Sequence, residues 1–257
     1  MLLLPAFTGA PEPNRVYNCD ALTLLKAMAD NSVDIVVTSP PYNIQRKKGS
    51  GIFANRQQRF FIDEAYSDYD DAMPELEYQS WLHGIVTECL RVSRGLVWVN
   101  HKTRYRDGVG IHPLQFLTFP MWTEVVWNRN SSPMLNARKF ATSHEYIFGF
   151  GRPHYWNDNM NTMMTVWNVT RGSSNHDDNH PCPYPETLIE RLIEASCPDS
   201  GLVLDPFLGS GTTAKVARQM GRDYIGCDIS LEYCGTARGN IAKPFTPSFM
   251  PQLELTG

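Results

Sequence analysis

Long hydrophobic runs are missing from this chain of 257 residues, and no apolar stretch approaches the length of a membrane-spanning helix. The opening Met1–Leu4 run is short, lacks a basic lead and meets Pro5, Pro11 and Pro13 at once. It reads as an irregular N-terminal arm over residues 1–15, not as a secretory signal. A surplus of positive charge is missing too. The formal charge is −4, which excludes a protein coated in positive potential but leaves room for a local basic face on nucleic acid. Close cysteine spacing is absent. None of the six cysteines (Cys19, Cys89, Cys182, Cys197, Cys227, Cys234) forms a C-x-x-C pair, so reduced thiols packed as small apolar groups are expected rather than a zinc site or a disulfide framework. The cluster His176, Asp177, Asp178 and His180 reads as a polar loop, with no metal expected. These absences predict a cytoplasmic protein free of membrane anchors. Internal repeats are lacking as well, so a single domain over 1–257 is expected.

What the chain does have is material for a core, with hydrophobic residues at 42% and charged residues at 19%. Strands are expected at Val16–Cys19, Val33–Thr38, Gly95–Asn100, Thr123–Trp127, Glu145–Phe150, Leu202–Asp205 and Tyr224–Asp228. The periodicity predicts helices at Ala21–Ala29, Tyr78–Arg91, Glu186–Ser196 and Thr212–Met220. The run Val33–Thr38 is nearly all apolar, the mark of a strand buried on both faces. Strands alternating with helices predict a doubly wound, mostly parallel α/β sheet with its ligands at the carboxyl ends of strands. Two stretches, 43–72 and 151–179, show no steady period, and the proline-rich tail 243–257 reads as loosely held.

The first informative segment is Val203-Leu204-Asp205-Pro206-Phe207-Leu208-Gly209-Ser210-Gly211-Thr212. Glycines between a buried strand and a helix let backbone approach a ligand, and the helix start offers free N–H donors. The next strand ends in Asp228, a carboxylate suited to ribose hydroxyls. A phosphate loop needs Gly-Lys-Ser/Thr, but Thr212 follows Gly211. The G-x-G-x-x-G spacing also fails, because Gly209 and Gly211 are followed by Ala214. An adenosine-bearing ligand without a pyrophosphate remains, and S-adenosylmethionine fits.

The second segment is Ser39-Pro40-Pro41-Tyr42, directly after a strand. Consecutive prolines contribute carbonyls without N–H donors and constrain φ, giving a stiff wall of acceptors. An exocyclic base amine is a poor nucleophile because its lone pair is delocalised into the ring. Acceptors at Ser39 Oγ and the Pro40 carbonyl would draw its hydrogens out of plane and localise that lone pair, with Tyr42 stacked on the base. Such atoms are hidden in a duplex, so the base must be flipped out. Alone, Pro-Pro is a rigid turn; paired with the glycine loop it points to chemistry.

With both motifs in view, the chain resembles the amino-methyltransferase family of DNA modification enzymes, which carry Asp/Asn/Ser-Pro-Pro-aromatic and Phe-x-Gly-x-Gly motifs. Here Ser39–Tyr42 precedes Phe207–Gly211, which resembles the circularly permuted β group. The resemblance implies the S-adenosylmethionine-dependent methyltransferase fold with a small target-recognition insertion at 151–179. It assigns catalysis to Ser39, Pro40, Pro41 and Tyr42, and cofactor contacts to Asp205, Phe207, Gly209, Ser210, Gly211, Thr212 and Asp228. The segment His180-Pro181-Cys182-Pro183-Tyr184 is similar to that group's stretch beside the methionine part of the cofactor, which adds His180, Pro183 and Tyr184. Asp20 matches an acidic position near the cofactor adenine. Ser39 in place of Asp resembles the cytosine-N4 members more than the adenine-N6 members, with adenine N6 still open.

DNA is the expected partner. Arg46, Lys47, Lys48, Arg56 and Arg59, interleaved with Phe53, Phe60 and Phe61, are suited to clamping phosphates beside the chemistry. Base readout is expected from Arg129–Lys139 and Gly151–Asn179, which are rich in Asn, Arg and Ser. The resemblance also allows a homodimer and a cognate restriction nuclease. Rival readings are weaker. Cytosine-C5 methylation needs a Pro-Cys downstream of the cofactor loop, whereas Cys182 lies upstream. RNA or a protein glutamine amide as substrate fits neither the motif order nor Ser39. A DNA-binding protein without catalysis would have no use for two intact motifs.

Overall fold

The computed structural model describes residues 9–43, 73–106, 108–130, 140–170 and 184–243. The expectations for Arg46, Lys47, Lys48, Arg56, Arg59, His180, Pro183, Cys182 and the tail beyond Lys243 lie outside these residues. The described chain runs β1 (Arg15–Asn18), α1 (Ala21–Lys26), β2 (Ile35–Thr38), α2 (Glu75–Val92) and β3 (Val97–His101), then the hairpin β4 (Arg104–Arg106) and β5 (Val109–Ile111). It continues with β6 (Met121–Asn128), β7 (His144–Phe150), β8 (Val166–Asn168), α3 (Glu186–Ser196), β9 (Leu202–Asp205), α4 (Thr212–Gln219), β10 (Asp223–Asp228) and α5 (Leu231–Ala242).

The main sheet has eight strands in the order β1-β10-β9-β2-β3-β7-β6-β8. Its first five strands are mutually parallel, and β7 runs antiparallel between β3 and β6. Alternating side chains of each buried strand feed two cores. Val36, Val97, Val99 and Leu204 join α1 and α2 on one face, with Leu24, Leu82, Ile85 and Val86. Ile35, Val37, Trp98 and Val203 join α3, α4 and α5 on the other, with Leu188, Leu192, Val216 and Ala237. A strand that is apolar on every residue is therefore satisfied on both sides.

Several elements differ from the expectation, among them helix α5 (Leu231–Ala242), which was not expected and whose Gly235 and Gly239 interrupt any apolar stripe. Helix α2 begins earlier than Tyr78, because Pro74 precedes it and the Glu75 carboxylate in its first turn pairs with Arg104 at 2.6 Å. The hairpin β4–β5 and the strand β8 are three residues each, too short to display a period of two in sequence. β8 continues the sheet beside β6, pairing Val126 with Val166 and Asn128 with Asn168.

The chain leaves β9 through α4 toward β10, and leaves β2 through α2 toward β3, in opposite directions along the sheet. Between adjacent β2 and β9 lies a topological switch point, the place at the carboxyl ends of the strands where open α/β sheets form their ligand crevice. No described helix is long and apolar enough to cross a membrane.

Candidate active site

Both motif turns open at that crevice. Thr38, the last residue of β2, donates its hydroxyl to Asp205 Oδ1 at 2.7 Å, and Asp205, the last residue of β9, also accepts the Phe207 N–H at 3.0 Å. Ser39-Pro40 and Phe207-Leu208 thus leave neighbouring strands from a shared buried carboxylate. The loop that follows turns sharply, with φ of 52° at Gly209 and 87° at Gly211. A Cβ on Gly211 would lie 2.8 Å from the Ala237 Cβ of α5, so only glycine allows both this turn and the helix contact. No side-chain hydrogen bond caps α4, and the first N–H groups of a helix have no acceptor within it. Asp228 ends β10, and its carboxylate accepts from Gly209 N at 3.0 Å and Ser230 N at 2.8 Å. It braces the loop as well as ending the strand. Asp20 follows β1, next in the sheet, and caps α1 through Thr23 N at 3.0 Å.

The remaining expected cofactor residues divide. Phe207 packs edge-on against Trp81, with ring centroids 5.6 Å apart. Ser210 is buried, its carbonyl held by Asn240 Nδ2 at 3.0 Å, and it lines a small depression with Thr212, Tyr184, Glu186 and Lys215. Tyr184 stacks edge-on against Trp127 at 5.8 Å. Burial, with the Glu145 and Asp205 carboxylates nearby, holds its phenol well above the ordinary value.

Around Ser39 the structure adds a layer absent from the motif. The Ser39 and Tyr42 hydroxyls lie 3.1 Å apart. Tyr42 donates to Asn100 Oδ1 at 2.5 Å and faces Glu145 Oε2 at 3.1 Å, while Ser39 Oγ reaches Asn100 Oδ1 at 3.3 Å. Asn100 donates from Nδ2 to the Tyr146 carbonyl at 2.9 Å, which fixes its oxygen toward the two hydroxyls. Pro41 is held by Tyr78, whose hydroxyl donates to the Pro41 carbonyl at 2.7 Å and also meets His101 Nε2 at 2.8 Å. The Tyr42 ring lies 4.9 Å from the His101 ring, with Lys102 Nζ 5.0 Å from its centroid. Asn43 Nδ2 donates to the Met73 carbonyl at 2.8 Å, joining the two described residues that flank the expected clamp segment.

Burial takes Asp205 from the ordinary 3.8 up to about 6, against the Thr38, Thr213 and Phe207 hydrogen bonds that favour its charged form. A folded value above the unfolded one means the native state holds the proton more tightly. Asp205 therefore makes stability fall as pH rises from 3.8 to about 6. His101 works in the other sense: burial takes it down to about 3, so it costs stability as pH falls below 6.5. Asp205→Asn should remove only the first contribution. The check is the difference in melting temperature between variant and wild type across that window; a difference independent of pH would contradict the assignment.

The expected base-reading segments fare differently. Arg129 is 6% exposed and pairs with Glu145, itself 2% exposed, at 3.0 Å. Its guanidinium is committed to a buried ion pair and is not presented to a base; residues 131–139 lie outside the described ones. Within 151–170 the chain first runs along the amino end of the sheet, where His154 meets Asp34 ahead of β2 at 3.0 Å and Asn157 N bonds the Ala195 carbonyl at 2.9 Å. It returns to the crevice edge only at Asn168, which accepts from Asn128 at 2.8 Å. Asn100, Glu145, Tyr78 and His101 were missed by sequence reasoning. The one available signal was the polar pair Asn100-His101 at the end of an apolar strand.

Known proteins resemble this chain in both sequence and fold. A family model described as a DNA methylase, of the N6/N4 methyltransferase type, matches residues 33–239. The chain is 30% identical to the type II methyltransferase M.BglII of Bacillus subtilis, over 87% of this chain and 68% of that one. It is 28% identical to the type II methyltransferase M.HinfI of Haemophilus influenzae, over 90% and 68%. Its fold matches the solved PvuII DNA methyltransferase, described as cytosine-N4-specific, with a TM-score of 0.70 at 20% identity, covering 95% of this chain and 90% of that one. A second fold match is a DNA modification methylase of Thermus thermophilus in complex with S-adenosyl-L-methionine, with a TM-score of 0.61 at 23% identity over 89% and 94%. The family match runs from just ahead of β2 into α5 and takes in both motif turns; the chain belongs to the N6/N4 family of DNA methylases.

Proposed function

We propose that this protein transfers the methyl group of S-adenosylmethionine to the exocyclic amine of a base flipped out of DNA, with cytosine N4 as the acceptor. The observation that carries this reading is the Thr38–Asp205 hydrogen bond, which ties the Ser39–Tyr42 turn and the glycine loop to one crevice. The residues there suit an adenosine-bearing ligand: carboxylates at the ends of β10 and just past β1, a glycine loop open to close approach, and no lysine directly after the glycines for phosphate. A bound methyl donor supplies an electrophilic carbon on a cationic sulfur. Asp20, Tyr184, Asp228 and the loop Phe207–Thr212 would hold it, together with His180 and Pro183.

The chain's own part is to present acceptors. Ser39 Oγ and the Pro40 carbonyl take the two amine hydrogens, drawing the nitrogen lone pair out of conjugation. Tyr78 holds the Pro41 carbonyl, so the turn keeps its shape while a base enters. Serine at position 39 carries the choice of cytosine N4. The permuted order of the two halves belongs to the same proposal, supported by β9 lying beside β2 although it comes late in the chain. Arg46, Lys47, Lys48, Arg56 and Arg59 are proposed to clamp phosphates. Lys47→Ala with Lys48→Ala should lower the slope of log K against log salt by roughly 2; an unchanged slope removes that segment from the footprint. The reading places the protein in the cytoplasm, without metal, with a second copy and a nuclease of the same specificity as further partners. Sedimentation of the free protein tests the dimer.

Mass spectrometry of nucleosides from DNA treated with protein and S-adenosylmethionine tests the base. N4-methylcytosine is expected, and N6-methyladenine would overturn the cytosine assignment. Labelled methyl appearing in RNA or protein but not in DNA would overturn the substrate class.

A further inference from the structure

We propose that Glu145 is the proton sink of the reaction, reached from the amine through the hydroxyls of Ser39 and Tyr42. This rests on the methyl-transfer reading above. A methylated amine that keeps both hydrogens is cationic, so one must leave, and serine by itself is neither a base nor a fixed acceptor. The hydrogen bonds around it supply what it lacks. Ser39 Oγ lies 3.1 Å from the Tyr42 hydroxyl, which lies 3.1 Å from Glu145 Oε2. A carboxylate only accepts, and Asn100 presents its oxygen to both hydroxyls, at 3.3 Å from Ser39 and 2.5 Å from Tyr42. With Ser39 donating to Tyr42, the single Tyr42 hydrogen is shared between Asn100 Oδ1 and Glu145 Oε2, which leaves the Ser39 lone pairs free to accept from an amine.

The step balances. The nitrogen–carbon bond forms as the carbon–sulfur bond breaks, its electron pair staying on sulfur. The amine gives a proton to Ser39 Oγ, Ser39 passes its own to Tyr42, and Tyr42, its single hydroxyl hydrogen turned from Asn100 Oδ1 to Glu145 Oε2, passes that hydrogen to Glu145, which becomes a neutral acid. The proton returns to solvent between turnovers. Glu145 faces Arg129 just past β6, Tyr42 from the motif turn and Tyr184 ahead of α3, with Asp205 also acting on Tyr184. Burial and the Glu145 charge hold the Tyr42 phenol well above its ordinary value, so Tyr42 hands a proton on without dwelling as a phenolate. Glu145 does not touch the substrate; it acts through Tyr42.

The test uses single-turnover methyl transfer to unmethylated genomic DNA across pH, with calorimetric binding of S-adenosylmethionine and melting temperature in parallel. Tyr42→Phe keeps the ring and cuts the chain; Glu145→Gln with Arg129→Gln removes the sink without leaving either charge alone. Both should slow transfer about 10²-fold with cofactor affinity kept, and their residual rates should climb with pH where the wild-type rate is flat. Combining Tyr42→Phe with the double variant should cost no more than either. A merely structural role would lower stability and rate without altering the pH profile, and that result, or a folded Tyr42→Phe near wild-type rate, overturns the proposal. Wild type that moves no methyl to DNA fails the underlying reading instead.

Discussion

Tyr42→Ala should lower the rate of methyl transfer about 10²–10³-fold, the scale of removing one preorganised group from an active site, while affinity for S-adenosylmethionine stays near wild type. The side chain is half-buried, flanked by His101 and anchored through its hydroxyl to Asn100 and Glu145. Its loss removes the proposed base platform and releases Ser39 from its partner, whereas its hydroxyl contacts are with Ser39, Asn100 and Glu145 rather than the glycine loop. Asp228→Ala should show the reverse pattern. Losing a carboxylate that accepts two backbone N–H groups should weaken cofactor binding roughly 10- to 100-fold, at about 1.5–3 kcal/mol for a charged hydrogen bond. Transfer rates at saturating cofactor should fall far less than in Tyr42→Ala. Calorimetric titration and single-turnover kinetics on both variants separate the roles, and equal loss of cofactor binding in the two would refute the division of the crevice.

Arg129→Ala should be the most destabilising single change near the site, at about 3–5 kcal/mol. Arg129 and Glu145 are both almost fully enclosed and 3.0 Å apart, and Arg129 Nη2 also donates to the Thr142 carbonyl at 2.9 Å. Removing the cation leaves a buried carboxylate without its counter-charge, whereas replacing both partners by neutral groups of similar shape costs much less. Urea unfolding would show the loss as a lower midpoint at constant m-value. Were Arg129→Ala as stable as wild type but weak on DNA, the guanidinium would be a DNA contact and the buried pair a misreading.

Much of the fold was legible in sequence because the informative segments are contiguous. VDIVVT, GLVWVN and GLVLD announce strands buried on both faces, and the sheet has β2, β3 and β9 where two cores meet. Both motif turns were legible for the same reason: a stiff acceptor turn and a glycine loop are local chemistry. The hairpin β4–β5 and β8 escaped because three residues carry no period, and their pairing partners lie far along the chain. Arg129 was misjudged because an arginine among asparagines looks exposed by composition; nothing local reveals a buried carboxylate opposite it. Residues 151–161 escaped likewise, since polar composition does not say which end of a sheet a segment covers.

The sequence by itself determined the longer strands, most helices, the acceptor turn and the loop, since each follows from the φ constraints of proline and glycine and from apolar patterning over a few residues. Only the tertiary structure decided what surrounds the reacting nitrogen. β7 runs antiparallel to β3, pairing Asn100 with Ile147 and His101 with Tyr146, so its first residues, not its last, reach the crevice. Glu145 arrives beside Tyr42 for that reason alone, and strand direction is set by how the whole sheet closes its hydrogen bonds rather than by any residue within the strand.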